Sequence, residues 1–304
     1  MVKDEAEFGA AEEPLPVAGA GEEELEDTAP AVVPPPVDLA RQSLAEEMPT
    51  AQFEQIIAVT KSLLERRFRN LKGIVDVASR NVNINPFLML ALAPTYNIFS
   101  PYEAAENAQM TKLLHGDSTA FGKFVENHLF PIFGSSPPPQ KGDLATKVLF
   151  SPIDHQLVVE GKHYFATWKS GPWTMNQSHA NEMIHRFPEI HKATGSDIII
   201  GIYYGKRERV NNKPGLVMSQ TGPYVHTLVG RNLWEFVTGV KDAHLSVFRA
   251  IRQAQAQFAL EHGGKTTFEH LMESRLRLAE SFREAFALIG AGDDMWELIF
   301  HGSF

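Results

Sequence analysis

The stretch from Ser151 to Lys169 constrains the fold of this chain more than any other. Two strand-like runs joined by a short glycine-containing segment predict a β-hairpin. The first run is apolar, the second is largely aromatic and apolar, and they occupy residues 157–159 and 163–168, on either side of 160–162. Asp154 stands at the start of the first predicted strand and Lys169 at the end of the second, so the hairpin is expected to bring them together.

An acid and an amine that converge in this way can support metal-dependent chemistry. The carboxylate of Asp154 can hold a hard divalent cation, and the ammonium of Lys169 can hold a phosphate oxygen or tune a metal-bound water. These two groups are the minimum requirement for a metal-dependent phosphodiesterase. The same pair also occurs in ordinary hairpins, so the flanking sequence has to decide between the two interpretations.

The negative charge of the chain is concentrated near its N-terminus. Residues 1–50 hold thirteen acids and two bases, whereas the remaining residues hold 24 acids and 26 bases. Residues 1–48 are rich in Glu, Ala and Pro, a composition that predicts a disordered acidic leader. The mildly basic remainder, 49–304, is compatible with a nucleic acid as ligand.

Several classes of protein are excluded by what the sequence lacks. It has no cysteine, which rules out disulfides, zinc–thiolate sites and thiol nucleophiles and fits a cytoplasmic location. We find no secretory signal and no apolar stretch long enough to span a membrane. The phosphate-loop, dinucleotide-binding and H-E-x-x-H motifs are also missing.

The order of the predicted elements indicates an α/β fold. We expect a helical DNA-binding or support region at 49–115, a catalytic α/β core at 116–230, and a helical region at 231–304 that forms a dimer interface. Inside the core, the pattern predicts a turn at 116–118, helices at 119–130 and 173–187, a buried strand at 196–205, and further strands at 215–219 and 222–228.

The helix–hairpin–helix–strand order is also the central plan of the PD-(D/E)xK nuclease superfamily. Five stretches sharpen this likeness: F-G-K-F-V-E-N-H-L-F-P-I-F-G, I-D-H, W-K-S-G-P-W-T, D-I-I-I-G-I-Y-Y-G and G-R-N-L-W-E-F. In order and spacing, residues 50 to 290 resemble type II restriction endonucleases, in particular the group of the enteric enzyme that cuts RGGNCCY. The resemblance implies a restriction-endonuclease-like core, with a central mixed β-sheet flanked by helices and with helical N- and C-terminal additions.

The resemblance also implies a set of site residues. Asp154 corresponds to the shared metal ligand and Lys169 to the catalytic lysine, while the carbonyl of Trp168 is a further ligand. The implied cofactor is Mg²⁺. The position two residues before the lysine usually carries a second acid, but here it is Thr167. Threonine offers a single neutral oxygen and is a poor substitute for a carboxylate on Mg²⁺.

Three explanations of Thr167 remain open. The second carboxylate can come from the following helix, where Glu182 is the preferred candidate. It can also come from the preceding helix, where Glu126 lies. Alternatively, the site has lost its acid, and the protein binds DNA without cutting it.

We expect double-stranded DNA to be the substrate and identify two groups of DNA contacts. Trp173, Thr174 and Asn176 precede a helix, where side chains can reach phosphates or base edges. Arg66 and Arg69 belong to a basic cluster on the first helix and can meet phosphates. A palindromic DNA site calls for a two-fold protein, so a homodimer is implied, acting beside a cognate DNA methyltransferase. The alternatives are a catalytically impaired DNA-binding protein on a nuclease scaffold and a structure-specific repair nuclease.

Overall fold

A computed structural model describes residues 39–78, 82, 85–139, 148–288 and 293–303. The described residues belong to the unit that begins at Pro36. Their order begins with three helices: α1 (Thr50–Lys72), α2 (Pro86–Tyr96) and α3 (Pro101–Phe124). A π-helical turn (Val125–Leu129) and a 3₁₀ turn (Phe130–Phe133) follow α3 directly.

The predicted hairpin is confirmed, with strands β1 (His155–Val159) and β2 (Lys162–Lys169) pairing antiparallel. The two residues between the strands, Glu160 and Gly161, both have positive φ values, of 52° and 77°. A two-residue turn of this kind matches the twist of the strands it connects. The turn therefore fixes the register that carries Asp154 and Lys169 to the same end of the hairpin.

Two further strands extend the hairpin into a four-stranded mixed sheet in the order β1-β2-β3-β4. Helix α4 (Gln177–Thr194) connects β2 to β3 (Asp197–Ile202), and helix α5 (Lys213–Thr221) connects β3 to β4 (Val225–Val229). Strands β2, β3 and β4 run parallel. The predicted fold class, a central mixed sheet flanked by helices, is therefore confirmed.

Strand β3 is apolar on both faces because helices cover the sheet on both sides. Ile198 and Ile200 pack with residues of α4 and α5, whereas Ile199 packs on the opposite face with residues of α1 and of the helices after β4. Those later helices are α6 (Arg231–Thr238) and α7 (Ala243–Glu261). A separate apolar cluster joins α2 and α3 to α8 (Thr267–Ala285) and α9 (Asp293–Gly302).

Three predicted elements differ from the structure. Residues 215–219 lie inside helix α5 and not in a strand, because Pro214 at the helix start and the apolar residues after it suit a short helix. The predicted turn at 116–118 is absent, since α3 continues through it to Phe124. The helix predicted at 173–187 begins at Gln177, after an N-cap at Asn176, and extends to Thr194.

The last residues of the predicted leader lie against the folded unit. Arg41 donates hydrogen bonds from Nε to the carbonyl of Phe236 (2.7 Å) and from Nη2 to that of Val237 (2.9 Å), at the end of α6. Ala45 forms an isolated β-bridge with Val240. We call residues 39–48 the strap. Within the part of the chain that the structure describes, every helix is too short or too polar to span a bilayer.

Candidate active site

Asp154 is fixed at the mouth of the hairpin by three hydrogen bonds. Its backbone N–H donates to the carbonyl of Ala166 (2.9 Å) and so continues the β1–β2 ladder by one residue. Its carboxylate Oδ2 accepts from the N–H of Trp168 (2.6 Å) and from Thr167 Oγ1 (3.1 Å). The other oxygen, Oδ1, accepts no hydrogen bond from a described residue and is available to a ligand.

Thr167 and Trp168 hold this carboxylate from the end of β2. Thr167 is 1% exposed, so its hydroxyl is committed to Asp154 and does not face solvent. The indole of Trp168 lies over the backbone of Gly201 in β3, where a Cβ atom would come within 2.5 Å of the ring. Phe130 packs against the same ring with centroids 4.4 Å apart. Packing therefore limits the movement of the segment that holds Asp154.

The carbonyl of Trp168 lies on the same side of β2 as the Asp154 carboxylate. The N–H and C=O groups of one residue in a strand point to the same side. Since the N–H of Trp168 points to Asp154, its carbonyl faces that side too, beyond the last β1–β2 pair, His155 and Ala166. The carbonyl of the next residue, Lys169, faces β3 and accepts from the N–H of Tyr203 (3.2 Å).

Glu126 approaches this site from the π-helical turn after α3. Burial raises the pKa of its carboxyl group, and the negative charge of Asp154 raises that pKa further, while Lys169 and Lys123 lower it. These opposing effects identify Asp154 and Lys169 as electrostatic neighbours of Glu126. The charges of Asp154 and Lys169 thus both act on the Glu126 carboxyl group, which comes from a different element.

Glu182, the other candidate for the second carboxylate, has a different environment. It is exposed on α4, and its Oε1 accepts a hydrogen bond from Ser151 Oγ at 2.8 Å. That contact ties α4 to the segment that leads into the hairpin.

The donor groups at the mouth of the hairpin suit a hard divalent cation. Asp154 Oδ1, the Glu126 carboxylate and the Trp168 carbonyl are oxygen ligands of the kind that Mg²⁺ prefers. Burial is the main reason for the raised pKa of Glu126, and the negative charge of Asp154 adds to it, so a bound cation would favour the ionised form of Glu126. Among the described residues, no three His, Cys, Asp or Glu side chains form a metal-binding group, so backbone oxygen and water would have to complete the coordination.

A comparison with known families identifies the family to which the chain belongs. Residues 52–258, which include Glu126 and the whole hairpin, match the model of the family described as type II restriction endonuclease EcoO109I. The chain belongs to this family. Among curated proteins, none matches the chain.

Membership of this family identifies the protein as a type II restriction endonuclease, a site-specific deoxyribonuclease. The resemblance to the enzymes that cut RGGNCCY is thereby confirmed. The matched region begins in α1 and ends in α7, so it includes the whole sheet and the helices on both of its faces.

The first group of predicted DNA contacts lies on the loop after Lys169 of this endonuclease. Trp173 is 77% exposed and free to meet a ligand. Thr174 Oγ1 donates to the carbonyl of Gly171 (2.8 Å), and Asn176 Oδ1 accepts from the N–H of His179 (2.9 Å) as the N-cap of α4. Two of the three residues thus also maintain the loop. Arg66 and Arg69, the second group, are exposed on α1.

Two residues near the site of the endonuclease were missed by the sequence analysis. Burial raises the pKa of Tyr203 to about 12, with the Ser170 side chain opposing this shift and the charge of Glu126 adding to it. Tyr203 therefore stays neutral near Glu126. Lys123 precedes Glu126 by one helical turn, a spacing that could have revealed it as a neighbour.

Proposed function

We propose that this endonuclease hydrolyses phosphodiester bonds of double-stranded DNA at a specific palindromic site with Mg²⁺ as its cofactor. The observation that carries the proposal is the Asp154 carboxylate, which the Trp168 N–H and Thr167 Oγ1 hold through Oδ2 at the end of β2 that carries Lys169, so that Oδ1 is available to a cation. Family membership supports DNA cleavage, and the oxygen donors support a hard divalent cation.

In this proposal Asp154, Glu126 and the Trp168 carbonyl hold the cation. A bound Mg²⁺ supplies charge stabilisation for the phosphate and lowers the pKa of water, which makes water a nucleophile at neutral pH. Glu126 takes the place of the acid missing at Thr167, and Glu182 is the weaker candidate because it already accepts from Ser151.

The remaining residues of the site orient the reactants. Thr167 Oγ1 and the Trp168 N–H fix Asp154 so that Oδ1 stays free. Lys169 contacts a phosphate oxygen and stabilises the negative charge that develops when water attacks the phosphorus. Trp173, next to this site and exposed, contacts the DNA.

We also propose that the enzyme acts as a homodimer, with one active site for each strand of the palindrome. The helices after β4 remain the proposed interface. Large apolar side chains on them are exposed, which favours burial against a second copy; they are Leu245, Phe248, Leu260, Phe268 and Leu276. Changing Leu260 and Phe268 to glutamate should convert a dimer into a monomer in sedimentation velocity, while wild type that sediments as a monomer would exclude this assembly.

The proposed biological setting follows from the reaction. An enzyme that cuts specific DNA endangers the host genome, so we propose a cognate DNA methyltransferase as its functional partner. Since chromosomal DNA is the molecule to be protected, we propose that the enzyme acts in the cytoplasm.

Digestion of unmethylated phage DNA with Mg²⁺ tests the proposal. Wild type should give discrete bands. Asp154→Asn, Lys169→Met and Glu126→Gln should each lower the cleavage rate by more than about a hundredfold, since even the outer-shell partners of metal ligands contribute about 10- to 100-fold. The matched control is Glu182→Gln, which removes the same charge from the other candidate and should cut nearly as fast as wild type.

Each other result has a defined meaning. If the Glu182→Gln variant does not cut DNA and the Glu126→Gln variant does, the second carboxylate is Glu182 of α4. Intact DNA with binding preserved in a gel-shift assay would identify a DNA-binding protein that has lost cleavage. Cleavage only at branched or damaged DNA would identify a structure-specific nuclease.

A further inference from the structure

A basic groove lies between α1 and α3. It consists of two adjoining depressions with volumes of about 340 and 640 Å³. Both depressions are lined by Arg66 of α1 and by Lys112, Gly116 and Ala120 of α3. Because these residues are common to both, the depressions form one continuous surface, which we call the α1–α3 groove.

The α1–α3 groove carries a strong excess of positive charge. Five cationic side chains line it, namely Arg66, Arg67, Arg69, Lys112 and Lys123, against one carboxylate, Asp117. Arg67 and Asp117 form a salt bridge at 2.7 Å. The other four cations form no salt bridge with any residue that the structure describes, and all four are exposed. Their charges are therefore available to an anionic ligand.

The spacing along α3 suits a long polyanion better than a small anion. Lys112, Gly116, Ala120 and Lys123 recur every three or four residues and so share one face of the helix. At 1.5 Å per residue, Lys112 and Lys123 lie about 16 Å apart along the axis. Successive phosphates of one DNA strand rise about 3.4 Å along the duplex axis while they wind around it, so a face of this length can meet more than one phosphate. The small residues between the two lysines, Gly116 and Ala120, leave room for the DNA backbone. A Cβ on Gly116 would have no neighbour within 4 Å.

One end of the groove adjoins the active site. Lys123 lies one helical turn before Glu126 and lowers the pKa of its carboxyl group. The positive surface thus leads to the carboxylates that hold the cation in the proposed mechanism.

We propose that the α1–α3 groove binds the phosphates of the DNA strand that flanks the scissile bond, with Arg66, Lys112 and Lys123 as the contacts. This inference rests on the proposed function, since it concerns the substrate of the same site. It assigns a phosphate-binding role to two lysines of α3 and extends the basic cluster of α1 into a track that positions the strand for cleavage.

The salt dependence of DNA binding tests the groove. Affinity for a short labelled duplex is measured by fluorescence anisotropy, with EDTA to prevent cleavage, between about 50 and 200 mM salt. Each lost phosphate contact lowers the slope of log K against log salt by about 0.9. The triple variant Arg66→Gln, Lys112→Gln, Lys123→Gln should therefore lose about two to three from this slope, and its cleavage should slow in parallel.

The matched control removes the same charge from a different surface. Lys192→Gln changes one exposed cation on α4 and should keep the wild-type slope, whereas Lys112→Gln alone should lose about 0.9 from it. The charge-conserving pair Lys112→Arg, Lys123→Arg should also keep it, which separates lost charge from disturbed packing. Thermal unfolding followed by circular dichroism checks that every variant is folded.

The outcomes separate this inference from the proposed function. If wild type cuts DNA while the triple groove variant keeps the wild-type slope, the groove is not a phosphate site and the nuclease assignment stands. If Lys192→Gln loses as much slope as Lys112→Gln, binding is a property of the overall charge and the groove assignment is wrong. If the wild-type protein neither binds nor cuts DNA, both the groove assignment and the proposed function are wrong.

Discussion

Thr167 occupies the position where the superfamily pattern expects a carboxylate. Its hydroxyl donates to Asp154 Oδ2 at 3.1 Å and is enclosed by the sheet. The residue that makes the pattern look incomplete therefore supports the acid that remains. The Trp168 N–H donates to the same oxygen, and the two hydrogen bonds together fix the orientation of the carboxylate and therefore the direction of Oδ1.

Thr167→Val removes this hydroxyl and keeps the side-chain volume. A hydrogen bond to a charged group contributes about 1.5–3 kcal/mol, so we expect kcat/KM for DNA cleavage to fall by roughly 10- to 100-fold. Because the same hydrogen bond contributes to stability, the melting temperature should also fall by several degrees. Steady-state cleavage of a defined duplex, with affinity measured in parallel, checks the result.

Thr167→Ser is the control for this prediction, since it keeps the hydroxyl and loses only the methyl group. It should retain most of the activity. Equal rates for wild type and the valine variant would show that Asp154 needs no support from residue 167.

Sequence could predict the residues of the hairpin but not the origin of the second acid. Asp154, Thr167 and Lys169 are close in sequence, and strand alternation with a short turn brings them together. Glu126 comes from an element 28 residues before Asp154, and only tertiary packing sets its approach. A glutamate on the helix before or after the hairpin can satisfy the sequence pattern, which slightly favours Glu182, and the choice of Glu126 is our proposal.

At the scale of elements, the contact between β2 and β3 determines how the site is supported. Gly201 of β3 pairs with Trp168 of β2, and the missing side chain makes room for the indole. A Cβ at this position would come within 2.5 Å of the ring and 3.1 Å of Leu233.

Gly201→Ala should consequently lower the free energy of unfolding by about 1–3 kcal/mol, the usual cost of overpacking a core. Urea unfolding followed by tryptophan fluorescence measures the change. Cleavage should fall as well, because Trp168 supports Asp154 through its N–H.

Gly116→Ala provides the comparison for stability. This glycine lies inside α3 with open space around its Cβ position, so alanine should stabilise the protein by up to about 1 kcal/mol. Equal effects of the two substitutions would mean that close packing at Gly201 is unimportant.

The opposite end of the sheet is joined by a polar cluster around Asp197. Its Oδ2 accepts from Lys162 Nζ (2.6 Å) and His226 Nε2 (2.9 Å), which links β2, β3 and β4. Burial raises the pKa of Asp197, but hydrogen bonds from Lys162 and His226 outweigh this effect and hold the pKa below its ordinary value. The stability that this carboxylate contributes is present above about pH 4, near the pKa of an unfolded aspartate, and is lost as pH falls through the lower folded-state pKa.

Asp197→Asn should therefore lower the free energy of unfolding at pH 7 by about 1–3 kcal/mol and make its decline towards acid shallower. Urea unfolding at a series of pH values measures both effects. Glu189→Gln, which breaks an exposed ion pair with Arg186, should cost less than about 1 kcal/mol and serves as the control. An unchanged acid profile in Asp197→Asn would contradict the linkage.

The sequence predicts whether an element is a helix or a strand where the apolar residues follow one clear periodicity. The alternating hairpin and the long helices α1, α7 and α8 are of this kind. Residues 215–219 form a short apolar run without clear periodicity, and such a run fits a strand or a buried helix equally well. The turn residues at 116–118 suggested a break, but packing of α3 against α8 keeps the helix continuous through them.

At the scale of the whole molecule, the strap joins distant parts of the chain. Arg41 contacts the end of α6, nearly 200 residues later, and the N–H of Gln42 donates to Glu160 Oε1 (2.8 Å) at the hairpin turn. Burial lowers the pKa of Arg41, while the charge of Glu160 opposes that shift. Gly239, with a φ of 72°, lets the guanidinium approach the helix end, because a Cβ there would lie 2.6 Å from Nη1.

Arg41→Ala should lower the free energy of unfolding by about 1–3 kcal/mol, since it leaves two carbonyls of α6 without their donor. Differential scanning calorimetry would record the lower melting temperature. Glu46→Gln breaks only the exposed pair with Lys241 and should have less than half that effect. If Arg41→Ala and Glu46→Gln lower the melting temperature equally, the contacts of Arg41 do not stabilise the protein.

The composition of residues 1–48 predicts one acidic leader. Composition alone does not distinguish residues 39–48 from the residues before them. Residues 39–48 contact the folded unit through one arginine, a β-bridge and backbone hydrogen bonds. Such contacts depend on partners from 160 to 241, which no local pattern reveals. Residues 1–38 lie outside the described residues.

The π-helical turn at Val125–Leu129 has a consequence for insertions and deletions. A turn closed by i→i+5 bonds holds one more residue than an α-helical turn. Deleting one residue here would let α3 continue as a regular helix, and each residue removed rotates the following side chains by about 100° around the axis. Glu126 and Phe130 would then face different directions relative to each other. The number of residues in this turn, and not only their identity, thus sets the orientation of Glu126 relative to Phe130, and variants with a changed number of residues here should lose stability.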